Sequence, residues 1–445
     1  MNGSENISIN DVRAYVSLLM KKAYTSSDIS VGDTKSLAML AMGLDLFLKN
    51  VDKKNLATDL LVSEMKKMTA EATGISSSLD TGMAKKQTGV ILDNQKLFTE
   101  SGKPIYLGTF LGVGGEGSVY KIPGMPGKVA KIYKYNVDLE EKERHIEAFF
   151  QNSVPKQIDS TLIATIPEER IYLEDGKFVG YIMPHVSSQF KIYDVMRDSQ
   201  ERAKCFPELD YRGLIVIAYN LAEIIHVLHK HNVVVGDMNL GNIIVNTDGT
   251  VCLIDADSFD IRDQKTGEHF PCSVGTPELL SPELQIAGKV KGLFTKESDY
   301  FSLAIIIFRL LMNNADPFGG ISFDDETSVL WVEANNPIVN GECPYVKTIP
   351  GIEIPSWVPD YQMLPSKIRE LFSRVFNYTK NTYHECIKNR PSAEEWMEAL
   401  MEYYQSPMNR CDNNAFHCYS SKLSECPFCK AANKTNEHSI FSVGI

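Results

Sequence analysis

One short polar loop, set between two apolar runs, leaves this chain few folds to choose from. Val233-Val-Val-Gly236-Asp237-Met-Asn239-Leu-Gly-Asn242-Ile-Ile-Val places a carboxylate and an amide five residues apart, with a strand-like run on each side. Asp237 is suited to accept a hydroxyl proton, and Asn242 to hold a metal ion and lock the loop. Thirteen residues after Asn242, Asp255 closes the apolar run Cys252-Leu-Ile and opens Asp255-Ala-Asp257-Ser-Phe259. An Asp at the end of an apolar strand is placed to coordinate Mg²⁺ that bridges phosphates. Either segment alone is compatible with an Asp-rich turn; their order and spacing argue for a site.

Upstream stand two further signals. Gly112-Val-Gly114-Gly-Glu-Gly117-Ser-Val119 lets backbone amides approach phosphates without side-chain interference. A dinucleotide fold needs a helix straight after such glycines, whereas Ser118-Val-Tyr-Lys-Ile continues as a strand. A strand–turn–strand flap over ATP fits better. Next comes Val129-Ala130-Lys131-Ile-Tyr. A lysine in an apolar strand is costly unless its ammonium meets anions. Lys128 and Lys134 compete for that role, but Lys131 has the apolar flanks. The helix that follows, DLEEKERHIEAFF, offers Glu140, Glu143 and Glu147 as carboxylate partners, with Glu143 favoured.

Four of the nine cysteines crowd into 411–429, and the other five are isolated. That distribution suits a reducing compartment with a metal site rather than a disulfide framework. Cys426-Pro-Phe-Cys429 is a metal-knuckle spacing, and with Cys411 and His417 it supplies four ligands of the tetrahedral, structural Zn²⁺ type. Cys418 is an alternative fourth ligand. No thioredoxin-like strand–helix context precedes the pair, which argues against a redox role.

The remaining pattern gives the organisation. Residues 1–70 carry apolar positions at helical spacing and read as a small helical bundle for docking or regulation; 71–89 is a Gly/Ser/Thr/Lys linker. From about 90 the period shortens to strands, including a hairpin turned at Asp175-Gly176, and from about 205 helices dominate. The expected boundaries are 90–404 for a two-lobed domain, with a strand-rich lobe to about 186 and a helical lobe from about 187, and 405–445 for the zinc-ribbon-like tail. The fold class is α+β. A net charge of −12 argues against broad contact with nucleic-acid backbones. The N-terminus shows no basic-then-apolar pattern, and the run Leu303–Met312 is broken by Arg309, so the expectation is a cytoplasmic protein without a membrane partner.

In order and separation these motifs resemble the protein kinase superfamily over roughly 100–400. Gly275-Thr276-Pro-Glu-Leu-Leu-Ser281-Pro282-Glu283 resembles the end of an activation segment. Ser298-Asp299-Tyr-Phe-Ser-Leu resembles the start of the central buried helix, whose Asp braces the catalytic loop. Arg390-Pro-Ser resembles the Arg that pairs with the segment's Glu, here Glu283, and Met183-Pro184-His185-Val186 the hinge over which adenine lies. The chain departs from the pattern at Val235-Gly236, where His-Arg is usual, at Asn239 for Lys, and at Ala256-Asp257 for Phe-Gly. The Gly-Asp-…-Asn loop, Asp-Ala-Asp-Ser-Phe and the cysteine tail resemble a bacterial kinase-like family of Ser/Thr type. Some of its members are associated with von Willebrand A-domain proteins and metal-dependent phosphatases.

The resemblance implies ATP- and Mg²⁺-dependent transfer to Ser/Thr hydroxyls of a protein, or of the chain itself. Asp237 is then the base, Lys131 orients phosphates, and Asn242 and Asp255 hold the metal. Gly112, Gly114, Gly117, Val119, Glu143, Met183 and His185 complete the nucleotide site. Two alternatives stay open: a pseudokinase scaffold acting through its flanking domains, and a small-molecule phosphotransferase.

Overall fold

The computed structural model describes residues 96–288, 290–322 and 336–437. All lie in the compact unit Thr88–Ile445. The helical bundle expected at 1–70 and the linker at 71–89 fall outside the described residues.

The first lobe is a seven-stranded antiparallel sheet in the order β2-β1-β8-β9-β5-β4-β3. Its strands are β1 (Leu97–Thr99), β2 (Pro104–Ile105), β3 (Phe110–Val113), β4 (Gly117–Lys121), β5 (Lys128–Tyr133), β8 (Glu169–Leu173) and β9 (Phe178–Pro184); β6 (Gln157–Ile158) and β7 (Thr161–Leu162) form a separate small hairpin. The apolar run from Ile105 to Gly112 is split between β2 and β3, while the Asp175-Gly176 hairpin joins β8 to β9 as read. Period-two alternation gives β5 two faces. Ala130 and Ile132 pack with Ile171 and Ile182 on one side. Val129 and Tyr133 pack with Phe178 and Met183 on the other, which α1 (Leu139–Gln151) covers through Ile146. Lys131 therefore points to the α1 side. β9 runs so close to β5 that a Cβ on Gly180 would lie 2.1 Å from the Lys131 carbonyl oxygen, which only glycine permits.

The second lobe is built on α2 (Tyr211–Lys230) and α3 (Lys296–Leu311). α3 is apolar around almost its whole circumference, and twelve of its residues are buried, as expected of a helix enclosed by others. α4 (Ser366–Phe376) and α5 (Ala393–Gln405) close the core with aromatic contacts; the Phe372 and Trp396 ring centres are 4.9 Å apart. Burying each such side chain contributes roughly 1.5–3 kcal/mol. α2 is also the one described helix long and apolar enough to cross a membrane; here its apolar residues lie in the lobe core.

Between α2 and α3 lie short strands: β10 (Val233–Val234), β11 (Ile243–Val245), β12 (Val251–Leu253), β13 (Asp260–Arg262) and β14 (His269–Phe270). Beyond α5, β15 (Met408–Arg410) pairs with β16 (Cys418–Ser420), and α6 (Pro427–Glu437) follows. This tail is seated on the N-terminus of α2. Tyr211 N–H donates to Phe416 O at 3.0 Å, the Cys418 thiol donates to Asp210 Oδ2 at 3.2 Å, and the Phe428 and Tyr211 ring centres are 5.0 Å apart.

Candidate active site

The loop carrying Asp237 is held from behind by a buried carboxylate. Asp299, fully buried in the first turn of α3, accepts Val235 N–H on Oδ2 at 2.8 Å and Gly236 N–H on Oδ1 at 2.9 Å. His229 Nε2, from the last turn of α2, lies 2.8 Å from the same Oδ2. The bracing Asp was legible in the sequence. The contact from His229 was not. Gly236 has φ +74°, and a Cβ there would lie 2.9 Å from Cys272 Sγ, so a side chain fits neither the backbone nor the space. On the open side, Thr276 Oγ1 donates to Asp237 Oδ1 at 2.7 Å.

Asn242 and Asp255 meet because β11 and β12 form an antiparallel hairpin with Ile243 opposite Leu253. Asn242 just precedes β11 and Asp255 just follows β12, and Ile254 N–H donates to Asn242 O at 2.9 Å. Asn239 caps the turn: its Oδ1 accepts Gly241 N–H at 2.8 Å. Asp255 sits in the left-handed region at φ +66°, a conformation that costs a non-glycine residue about 1–3 kcal/mol and clusters at functional positions. Its carbonyl accepts from the Ser258 hydroxyl at 2.7 Å.

Lys131 Nζ reaches Asp255 Oδ1 at 2.6 Å and Asp257 Oδ1 at 2.5 Å. Asp257 is fully buried, and its Oδ2 accepts from Tyr133 Oη at 3.0 Å. Burial alone would raise the Asp257 carboxyl and lower the Lys131 ammonium. Their mutual attraction prevails, holding the acid below and the lysine above their ordinary ranges.

The expected pairing of Lys131 with Glu143 is not formed. Glu143 Oε1 accepts from Tyr172 Oη at 2.8 Å, and Glu147 pairs with Arg170 at 3.0 Å. Helix phase is the reason. His145, Ile146 and Phe149 of α1 are buried, and Lys142 shares their arc; Glu143 is rotated about 100° from Lys142. Lys142 itself bonds Glu116 of the β3–β4 hairpin at 2.6 Å and the Asp257 carbonyl at 3.2 Å.

The glycine hairpin joins β3 to β4 as expected, with Gly112 opposite Val119 and Gly114 N–H donating to Gly117 O at 2.8 Å. Val119 is opposite Lys131, Met183 is opposite Val129, and His185 N–H donates to Gly127 O at 2.9 Å where the chain leaves β9. In the second lobe, Arg390 meets Glu283 with two parallel bonds of 2.6 and 2.8 Å, the pair read from the sequence. Burial pushes Glu283 upward, but the guanidinium holds its carboxyl below the usual range.

In the tail, one donor atom from each of Cys411, His417, Cys426 and Cys429 lies within 4.8 Å of the others. Cys411 Sγ and Cys429 Sγ are 3.5 Å apart, and His417 Nδ1 is 3.6 Å from the sulfurs of Cys426 and Cys429. Tetrahedral zinc with Zn–S of about 2.3 Å requires sulfurs about 3.8 Å apart, so the donor set fits. Burial first, then Arg202, lowers the His417 pKa to about 4, keeping the imidazole neutral as a ligand must be. Cys418 turns away to Asp210, leaving His417 in the cluster.

Residues 107–400 match the family model described as protein kinase domain. The chain is 30% identical over 354 residues to protein kinase YegI of Escherichia coli (strain K12), covering 77% of this chain and 51% of YegI. Its counterpart in Escherichia coli O157:H7 is 29% identical over 351 residues, covering 76% and 50%. Serine/threonine-protein kinase N2 of Danio rerio is 32% identical over 122 residues, 27% of this chain and 11% of that protein. The chain thus spans about half the length of the two YegI proteins.

Proposed function

Because the chain belongs to the protein kinase family, we propose that it transfers the γ-phosphoryl group of ATP to serine or threonine hydroxyls of a protein, its own included. The observation that carries this reading is the hydroxyl already seated on Asp237, where Thr276 donates at 2.7 Å. A base for an alcohol acceptor needs that reach. Asp237 therefore positions the acceptor hydroxyl and takes its proton.

Mg²⁺ and ATP, when bound, supply the transferable group and offset the charge that develops on it. Asn242 and Asp255, at one end of the β11–β12 hairpin, are the residues that would hold the metal. Lys131 serves the α- and β-phosphates. Gly112, Gly114 and Gly117 keep the hairpin free of side chains, so that its backbone can approach phosphate oxygens. Val119 and Met183 offer apolar surface to adenine, and His185 continues the hinge. Such catalysis is mostly positioning and electrostatics, and the loop braced by Asp299 is built for it.

We also propose structural Zn²⁺ at Cys411, His417, Cys426 and Cys429, a cytoplasmic location, and, from family resemblance, partnership with a von Willebrand A-domain protein and a metal-dependent phosphatase. The test of the main reading is transfer of labelled γ-phosphate with Mg²⁺, followed by phosphoamino-acid analysis. Phosphoserine or phosphothreonine in protein is the expected product. Label in a small acceptor favours a small-molecule phosphotransferase; ATP binding without transfer favours the scaffold.

A further inference from the structure

We propose that Asp257 is the positioning residue for Lys131, doing from the β12–β13 connection what a carboxylate on α1 was expected to do. The inference rests on the kinase reading of the site. Three observations support it. Asp257 Oδ1 lies 2.5 Å from Lys131 Nζ, and the whole Asp257 side chain is shielded from water. Its second oxygen is fixed by Tyr133 Oη at 3.0 Å, two residues along β5 from the lysine it holds. Finally, α1 sends a cation to this region: Lys142 bonds the Asp257 carbonyl at 3.2 Å and Glu116 of the glycine hairpin at 2.6 Å.

The chemistry follows from this geometry. Lys131 contacts two carboxylates, of which Asp255 is half exposed and assigned to the metal. When Asp255 turns to a cation, Lys131 keeps Asp257. Its ammonium then stays anchored on one side and open to phosphate oxygens on the other. A second cation on α1 facing Lys131 would repel it, but Asp257 stands between the two lysines and takes a bond from each, through side chain and main chain. Lys142 in turn ties the glycine hairpin to the same point, so α1, the hairpin and the Asp257 turn form one connected unit. Asp257 thereby acts through Lys131 and is not itself in contact with substrate.

The test is a double-mutant cycle on the full chain, read by calorimetric titration with Mg²⁺–ATP and by KM for ATP against kcat. Asp257→Asn is expected to weaken nucleotide binding roughly tenfold to a hundredfold, the worth of one charge-assisted bond, and to raise KM for ATP. Asp257→Glu is expected to recover part of the loss. In a Lys131→Met background, Asp257→Asn is expected to add little, because its effect passes through the lysine. Glu143→Gln is expected to retain wild-type values. Thermal unfolding of each variant separates lost folding from lost binding. The proposal is overturned if Asp257→Asn binds ATP as wild type does, or if the two losses simply add. It is equally overturned if Glu143→Gln shows the loss instead, which would mean that α1 turns to bring Glu143 in. If wild type binds ATP but transfers nothing, the kinase reading fails while the binding cycle still decides the role of Asp257. A wild-type chain that binds no ATP overturns both.

Discussion

Replacing Asp299 by Asn is the sharpest probe of how the catalytic loop is held. The carboxylate takes three buried contacts, from Val235 N–H, Gly236 N–H and His229 Nε2. An amide of the same shape keeps one acceptor oxygen and presents an NH₂ where a second acceptor is needed. One backbone N–H then loses its partner. The lost charge-assisted bond is worth about 1.5–3 kcal/mol and the stranded donor about 1–3 kcal/mol; because these overlap, about 2–4 kcal/mol is expected. Against a total stability of about 5–15 kcal/mol that is a large fraction. With a urea m-value of ~3 kcal/mol/M, the denaturation midpoint falls by roughly 1 M. Turnover falls with it, because Asp237 follows Gly236 directly in the chain. A change below about 0.5 kcal/mol, with normal turnover, would refute the claim that Asp299 organises this loop.

Other expectations follow from the same geometry. Arg390 holds the folded Glu283 carboxyl below its ordinary value of 4.5, so its contribution is present above about pH 4.5 and disappears as pH falls through the lower folded value. Thermal unfolding between pH 7 and pH 3 reads that slope, and Glu283→Gln removes its part of it. Metal analysis is expected to find one zinc per chain. Chelation or Cys429→Ser is expected to lower the melting temperature of the kinase unit itself, since the tail bonds Asp210 and Tyr211 at the start of α2; an unchanged kinase transition would show that the tail is not coupled to it.

The sequence disclosed most where local geometry decides the outcome. A tight antiparallel hairpin fixes Asn242 beside Asp255 whatever the rest of the fold does, so their separation along the chain was informative. Glu283 and Arg390 were legible as a pair only through the family pattern, since 107 residues separate them. The partner of Lys131 was misread because α1 offers Glu140, Glu143 and Glu147 as candidates, and the phase of a helix depends on which apolar residues are buried. His145, Ile146 and Phe149 set that phase and turned Glu143 toward Tyr172. Asp257 was noted only as a departure from a glycine, and His229 carried no local signal. Their roles arise from contacts between distant segments, which no local pattern encodes.

Asp237 is the residue proposed to make this chain a phosphoryl-transfer enzyme. The direct test is γ-phosphate transfer from labelled ATP with Mg²⁺, wild type beside Asp237→Ala and Asp255→Ala, with circular dichroism confirming the fold of each. Transfer by wild type and none by either variant is the predicted result. Wild-type turnover retained by folded Asp237→Ala would contradict the account, and retention by Asp255→Ala would remove the metal assignment with it.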